Sequence, residues 1–153
     1  MGENRINPLF NVHERYKMGM IINPYRFGVV DPYGPERVLN GGFDSSANWV
    51  VESGITISGG KLVFTSCAYG NRAAQTYIIK SGKTYLAKFT ISDYVSGSIR
   101  IELGLSGSGL GTVRSGNGTF EQIIVATSTS IQIRSRATGT TLKVDDVSIK
   151  EIL

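Results

Sequence analysis

The fold is decided by a stretch that reads Thr84-Tyr85-Leu86-Ala87-Lys88-Phe89-Thr90-Ile91. Large apolar residues recur at every second position, which is the spacing of a β-strand with one buried face and one solvated face. Ser98–Leu103 and Ser130–Arg136 show the same alternation, with Arg100, Glu102, Gln132 and Arg134 on the solvated side, and further strand-like runs cover residues 61–65, 120–126 and 141–149. Such alternation is typical of antiparallel sheets, so an all-β domain is predicted.

Turn-forming pairs separate these runs. Glycine supplies the positive φ that tight hairpins need, and it occurs between the runs in Ser58-Gly59-Gly60, Ser81-Gly82, Ser96-Gly97, Asn117-Gly118 and Thr138-Gly139. The glycine-rich stretch at residues 104–118 is interpreted as a surface loop. Helical spacing is not sustained over three turns anywhere. Short strands joined by regular turns predict an antiparallel β-sandwich or barrel.

The chain divides into two regions near residue 38. All four prolines (Pro8, Pro24, Pro32 and Pro35) precede that point, which predicts an extended N-terminal arm at residues 1–37 and a β-domain at residues 38–153. The arm is too apolar for a flexible linker. Its side chains therefore need a surface on this domain, a second copy or another protein. We favour a partner, contacted through Leu9, Phe10, Tyr16, Ile21, Ile22, Tyr25 and Phe27.

Composition excludes several classes of function. The net charge is +4, but the basic residues are scattered rather than gathered in a stripe, so nucleic-acid binding is not expected. Neither a signal peptide nor a run of about 20 apolar residues is found, so no membrane association is expected. The single Cys67 lies in an apolar run, where a buried, inert thiol is expected.

Catalysis is not expected either. A serine or cysteine nucleophile needs a nearby base, and the only histidine, His13, lies in the arm. Asp145 and Asp146 are a carboxylate pair, but adjacent residues on a strand point to opposite faces and cannot flank one glycosidic bond. The chain is therefore predicted not to be an enzyme.

The β-domain resembles family-4 and family-9 type carbohydrate-binding modules. The resemblance begins with Val38-Leu39-Asn40-Gly41-Gly42-Phe43-Asp44 and Trp49, continues through Gly82-Lys83-Thr84-Tyr85, and ends with Val144-Asp145-Asp146-Val147-Ser148-Ile149. It implies an antiparallel jelly-roll β-sandwich over residues 38–153, behind the extended arm. It also implies a structural calcium ion as the one candidate cofactor, with Asn40, Asp44 and Asp146 as candidate ligands. The alternative is that these side chains cap turns or pair with lysine.

A sugar-binding surface needs exposed aromatic rings. Trp49 is expected in the core, while Tyr69 and Tyr94, near strand ends, are the preferred candidates; Tyr77 is a further one. Arg134 and Arg136 share a strand face and, with Arg100 and Lys88, suit an acidic glycan or an acidic capsid surface. The favoured alternative is a solvated face whose charges are paired with Glu102 and Glu121.

The arm phrase Met20-Ile21-Ile22-Asn23-Pro24-Tyr25-Arg26-Phe27-Gly28 is similar to segments near the start of phage tail and other virion proteins. This similarity predicts a non-enzymatic bacteriophage virion protein, such as a capsid decoration, head-fibre or tail-associated protein, made in the host cytoplasm. The arm would dock on capsid or tail subunits, in a homo-oligomer, and the jelly roll would face outward. The alternative is a carbohydrate-binding module that recognises a polysaccharide. A host glycan gripped weakly through many copies would combine the two.

Overall fold

The structure is a computed structural model that describes residues 30–105 and 107–153. The seven arm residues predicted to contact a partner lie outside the described residues. Tyr33–Leu153 forms one compact unit, and its regular structure consists of ten strands without a helix in the described part. No described helix could therefore span a membrane.

The strands form two antiparallel sheets. Their bounds are β1 Tyr33–Glu36, β2 Val50–Val51, β3 Ile55–Ser58, β4 Lys61–Cys67, β5 Arg72–Gln75, β6 Thr84–Ser96, β7 Ile99–Glu102, β8 Gly118–Val125, β9 Ile131–Ser135 and β10 Thr140–Ile152. The six-stranded sheet has the order β3-β4-β10-β6-β8, with β1 pairing to β10. The four-stranded sheet has the order β2-β5-β9-β7. The predicted antiparallel β-sandwich is confirmed.

The core lies between the inward faces of the two sheets. The six-stranded sheet contributes the inward residues of β4, β6 and β10, while the four-stranded sheet contributes those of β5, β7 and β9. Fully burying one large apolar side chain stabilises the fold by about 1.5–3 kcal/mol. The alternation predicted for residues 84–91 is present, because Tyr85, Ala87, Phe89 and Ile91 are all buried.

Residues 33–36, which the sequence analysis placed in the arm, belong to the six-stranded sheet. β1 pairs with the end of β10, where Tyr33 lies opposite Ile152. Pro35 suggested an irregular path, but an edge strand tolerates proline because one side of its backbone needs no partner. The carboxylate of Glu36 strengthens the pairing, since its Oε1 accepts from the backbone N–H of Val38 at 3.0 Å and of Ile149 at 2.7 Å.

Part of the glycine-rich stretch expected to be a surface loop extends the four-stranded sheet. Residues 109–114, the edge segment, run beside β7. Ile99 and Arg114 exchange backbone hydrogen bonds of 2.9 and 2.8 Å, and Leu103 N donates to Gly109 O at 2.7 Å. The outer face of the four-stranded sheet is therefore five strands wide at this point.

Candidate functional site

The outer face of the four-stranded sheet carries a connected set of charged and polar side chains. We call it the arginine face and define it by Arg72, Arg100, Arg134, Arg136, Glu52, Glu102 and Gln132. The residues between them on β5, β7 and β9, such as Ala73, Ile101 and Ile133, point into the core. The period of two therefore sends the polar set to the opposite side of the sheet.

Strand pairing places three guanidinium groups in one row. Arg134 on β9 lies opposite Arg72 on β5 and opposite Arg100 on β7. Neighbouring strands are about 4.8 Å apart, so the row crosses three strands within about 10 Å.

A second row lies beside the first. Gln132 is opposite Ala74 on one side and Glu102 on the other, and Glu102 is bridged in turn to Leu110 of the edge segment. Val50, which is 73% exposed, is paired with Ala74 at the far end. The second row is therefore polar in its centre and apolar at its ends.

Ion pairs and hydrogen bonds hold the guanidinium groups in place. Arg72 is 3.2 Å from Glu52, and Arg100 is 2.6 Å from Glu102. The amide oxygen of Gln132 accepts from Arg72 at 3.3 Å and from Arg134 at 2.6 Å. Charge-assisted hydrogen bonds of this kind are about twice as strong as neutral ones, so the face presents fixed polar groups.

Two residues of this face are buried, contrary to the prediction that they lie on a solvated surface. Glu102 and Gln132 are each only 2% exposed. The long side chains of Arg100 and Arg134 engage them from the same face, and a buried charge is tolerated when it is paired and hydrogen-bonded. The predicted pairing of Arg134 with Glu102 is present.

Glu102 is shared by two arginines. Nε of Arg134 lies 3.3 Å from Oε2 of Glu102, yet its N–H makes no hydrogen bond to the described residues. The two groups attract by charge, without the alignment that a hydrogen bond requires. The Glu102 carboxylate therefore interacts with two guanidinium groups, those of Arg100 and Arg134, in the centre of the face.

Two exposed tyrosines lie at opposite ends of β5. Tyr69 precedes the strand and is 56% exposed, and Tyr77 follows it and is 87% exposed. The guanidinium of Arg136 stands 4.6 Å from the ring centroid of Tyr69, which is a cation–π contact. Of the two preferred aromatic candidates, Tyr69 is thus placed beside the arginine face.

Tyr94 and Trp49 are placed differently. Tyr94 is half-buried against the core, and its hydroxyl donates to the carbonyl of Gly97 at 3.1 Å. Trp49 is buried as expected, with its ring 5.2 Å from that of Phe43, and its Nε1 donates to the carbonyl of Asn40 at 3.0 Å. Neither is available as a flat exposed platform.

The three candidate calcium ligands lie in the loop after β1 and in β10. The Asn40 amide donates to the carbonyls of Ser45 and Ala47 and accepts from the backbone N–H of Asp44 at 2.9 Å. These hydrogen bonds stabilise the loop at residues 40–47. Asp146 lies in a bulge of β10, where its φ is 51°. The described residues hold no cluster of three or more acidic, histidine or cysteine side chains. The Asn40 amide is thus engaged within its own loop, and calcium binding, which needs several oxygen ligands, stays a prediction.

The outer face of the six-stranded sheet carries a separate groove of about 600 Å³. Lys88, Thr90, Gly41 and Asp146 are among its lining residues. Lys88 pairs with Glu121 at 3.1 Å, which is the pairing that the sequence analysis favoured. Lys88 is thus on a different sheet from Arg100 and Arg134.

Comparison with known proteins identifies the fold. No family model and no curated protein matches the chain. A CBM4 carbohydrate-binding module is 18% identical with a TM-score of 0.53, the match covering 74% of this chain and 99% of that one. The CBM22-1 xylan-binding domain from Paenibacillus barcinonensis Xyn10C is 9% identical with a TM-score of 0.56, covering 80% of this chain and 98% of that one.

A third similar structure is the N-terminal cellulose-binding domain of Cellulomonas fimi β-1,4-glucanase C. It is 19% identical with a TM-score of 0.51, and the match covers 81% of this chain and 99% of that one. At these identities the likeness concerns the fold. It confirms the jelly-roll β-sandwich that the sequence resemblance implied.

Proposed function

We propose that this domain is a non-catalytic module that binds a polysaccharide across the arginine face. The observation that carries the proposal is the fixed network of Arg72, Arg134, Gln132 and Glu102, beside the exposed Tyr69, on a jelly roll similar to carbohydrate-binding modules. The function given as the alternative in the sequence analysis is therefore preferred over the virion role.

The chemistry of the face suits sugar hydroxyls. A hydroxyl both donates and accepts, and guanidinium, carboxylate and amide groups provide partners of both kinds. Because the guanidinium groups are already held by Glu52, Glu102 and Gln132, they lose little side-chain freedom when a ligand binds. The exposed rings of Tyr69 and Tyr77 can cover the apolar faces of sugar rings at either end of β5.

The test is binding of the full chain to a panel of neutral and acidic polysaccharides, measured by isothermal titration calorimetry. Tyr69→Ala is expected to weaken binding by about 1 kcal/mol, or about fivefold, through loss of the stacking surface. Tyr33→Ala is the matched control, because Tyr33 is also an exposed tyrosine but belongs to the six-stranded sheet. Equal loss in both variants, or no binding across the panel, would count against the proposal.

We also keep the virion role as a proposal, because the apolar N-terminal arm supports it. A capsid decoration, head-fibre or tail-associated protein, made in the host cytoplasm and forming a homo-oligomer, would use the arm to attach and the jelly roll to reach a host glycan. The compact unit begins at Tyr33, so a chain lacking residues 1–32 is the variant to make. It is expected to keep the sandwich, shown by circular dichroism, and to lose attachment to the particle in co-sedimentation. Attachment without the arm would contradict this role.

A further inference from the structure

We infer that the arginine face selects polysaccharides that carry carboxylates, that is, polyuronates. The inference rests on the proposed carbohydrate-binding function and names its ligand class. The arginine face carries four guanidinium groups but only two carboxylates, those of Glu52 and Glu102. The face thus has a formal charge of +2, half of the net charge of +4 that the whole chain carries.

The excess positive charge is not offset by the segments on either side of the arginine face. The stretch at residues 104–113, which includes most of the edge segment, contains no charged residue. On the other side, β2 contributes Val50 and Val51, and β5 contributes Ala74 next to Arg72. The positive charge is therefore concentrated on the central strands, β5, β9 and β7.

The surplus can be assigned to specific groups. Arg72 pairs with Glu52 at 3.2 Å, and none of the other three arginines of the face shares that carboxylate. Arg100 and Arg134 share Glu102, at 2.6 and 3.3 Å, so one of these two charges is unmatched. Arg136 is within 4.6 Å of the Tyr69 ring, and no carboxylate of the described residues pairs with it.

Two of the arginines that carry the surplus charge, Arg134 and Arg136, lie close to each other. Arg134 and Arg136 are two residues apart on one strand face, which separates their Cα atoms by about 7 Å. Arg136 also lies over Tyr69, so a sugar chain that crosses the arginine face and reaches Tyr69 passes this guanidinium. Arginine binds carboxylates through two parallel hydrogen bonds, which a neutral sugar cannot provide.

The experiment compares polygalacturonate with fully methyl-esterified polygalacturonan, since both have the same backbone and only the first is charged. The same comparison is made with alginate and its ester, and poly-L-glutamate serves as a polyanion without sugar. Affinity for the acid is expected to exceed that for the ester by about tenfold or more, the scale of one charge-assisted hydrogen bond. The difference should shrink when ionic strength rises from about 0.1 M to about 1 M, which shortens the Debye length from about 10 Å to about 3 Å.

Single substitutions show whether the preference for the acid over the ester comes from the arginine face. Arg136→Gln and Arg72→Gln are each expected to weaken binding of polygalacturonate by a larger factor than binding of the ester, because only the acid loses a charge-assisted contact. Glu52→Gln is expected to strengthen polygalacturonate binding, because that change removes a negative charge from the face. Lys88→Gln and Glu121→Gln are the matched controls, since they form an ion pair on the six-stranded sheet. All five positions are partly or well exposed, and a thermal melt verifies that each variant folds.

The outcomes separate this inference from the proposed function. Equal affinity for acid and ester, or binding of neutral polysaccharides alone, would overturn the polyuronate preference and leave carbohydrate binding intact. Equal affinity for poly-L-glutamate would show that the face responds to charge without recognising a sugar, and would also overturn it. If no polysaccharide binds, acidic or neutral, the proposed function fails as well.

Discussion

Replacing Gly41 with alanine tests the close contact between the backbone at Gly41 and Val147 of strand β10. A Cβ at Gly41 would lie 2.0 Å from the carbonyl oxygen of Val147 and 3.1 Å from its carbonyl carbon. A close carbon–oxygen contact is about 3.3 Å, so the two backbones would have to separate by about 1.3 Å. The same movement strains the hydrogen bond from Val147 N to Gly41 O, which is 3.0 Å long.

The expected cost follows from these two contacts. Overpacking of a well-packed site costs about 1–3 kcal/mol, and loss of the backbone hydrogen bond costs about 0.5–1.5 kcal/mol. The free energy of unfolding should therefore fall by about 3 kcal/mol, a large part of the 5–15 kcal/mol that such domains typically have. For a domain of this size the midpoint of thermal unfolding should drop by about 10 °C.

The neighbouring glycine provides a matched control. A Cβ at Gly42 would meet only the Asp44 carboxylate, at 3.9 Å. Neither Gly41 nor Gly42 has a positive φ, so the two substitutions differ in steric contact rather than in backbone strain. Gly42→Ala should leave stability unchanged or raise it by up to about 1 kcal/mol, because alanine reduces the freedom of the unfolded chain. Thermal melts and urea titrations of both variants give the comparison. Equal stability of the two variants would refute the reasoning.

Three further predictions follow from individual side chains. Cys67 is buried, and burial raises the pKa of its thiol, so a maleimide reagent should label the native protein far more slowly than the urea-unfolded protein. Raising the pH through that pKa should lower the free energy of unfolding, because the unfolded state loses the thiol proton more readily. Fast labelling of the native state would contradict the buried position. The Gln75 amide accepts from the backbone N–H of Leu39 at 3.1 Å and donates to its carbonyl, so Gln75→Leu should destabilise the domain by about 1–3 kcal/mol in urea unfolding. A hydrogen bond from Lys143, and then its charge, lowers the pKa of the exposed Asp93, so this pair contributes stability that is present at neutral pH and lost as the pH falls through the lowered pKa. An NMR pH titration of Lys143→Gln should show the Asp93 pKa rising toward its ordinary value, and an unchanged pKa would exclude the contact.

Much of the fold could be predicted from local patterns. The runs at residues 84–91 and 98–103 alternate with a period of two, and that period alone identifies a strand and its buried face. Two of the strands that were missed lack this pattern. β5 reads Arg72-Ala73-Ala74-Gln75, whose small residues show little contrast between faces, and β2 has only two residues.

The candidate site was only partly visible in the sequence. Tyr69, Arg100, Arg134 and Arg136 were identified as candidates from their positions near strand ends and on a polar strand face. Arg72 and Glu52 were missed, since nothing in their local sequence shows that they join the same face. Gln132 was placed on the same strand face as Arg134, but it was expected to be solvated rather than buried. Arg72 and Arg100 are separated along the chain by all of β6, yet both lie beside Arg134.

The sequence by itself determined that the domain is built of antiparallel strands with one buried face, because the alternation of side chains is a local property of each strand; the choice of a sandwich came from the resemblance to carbohydrate-binding modules. Only the tertiary structure decided which strands became neighbours, and hence that Lys88 faces one side of the sandwich while Arg100 and Arg134 face the other. It also decided that Glu102 and Gln132 are buried on an outward face. The physical reason is that pairing between strands distant in sequence is set by the packing of the whole core, and the neighbours across a sheet follow from that pairing.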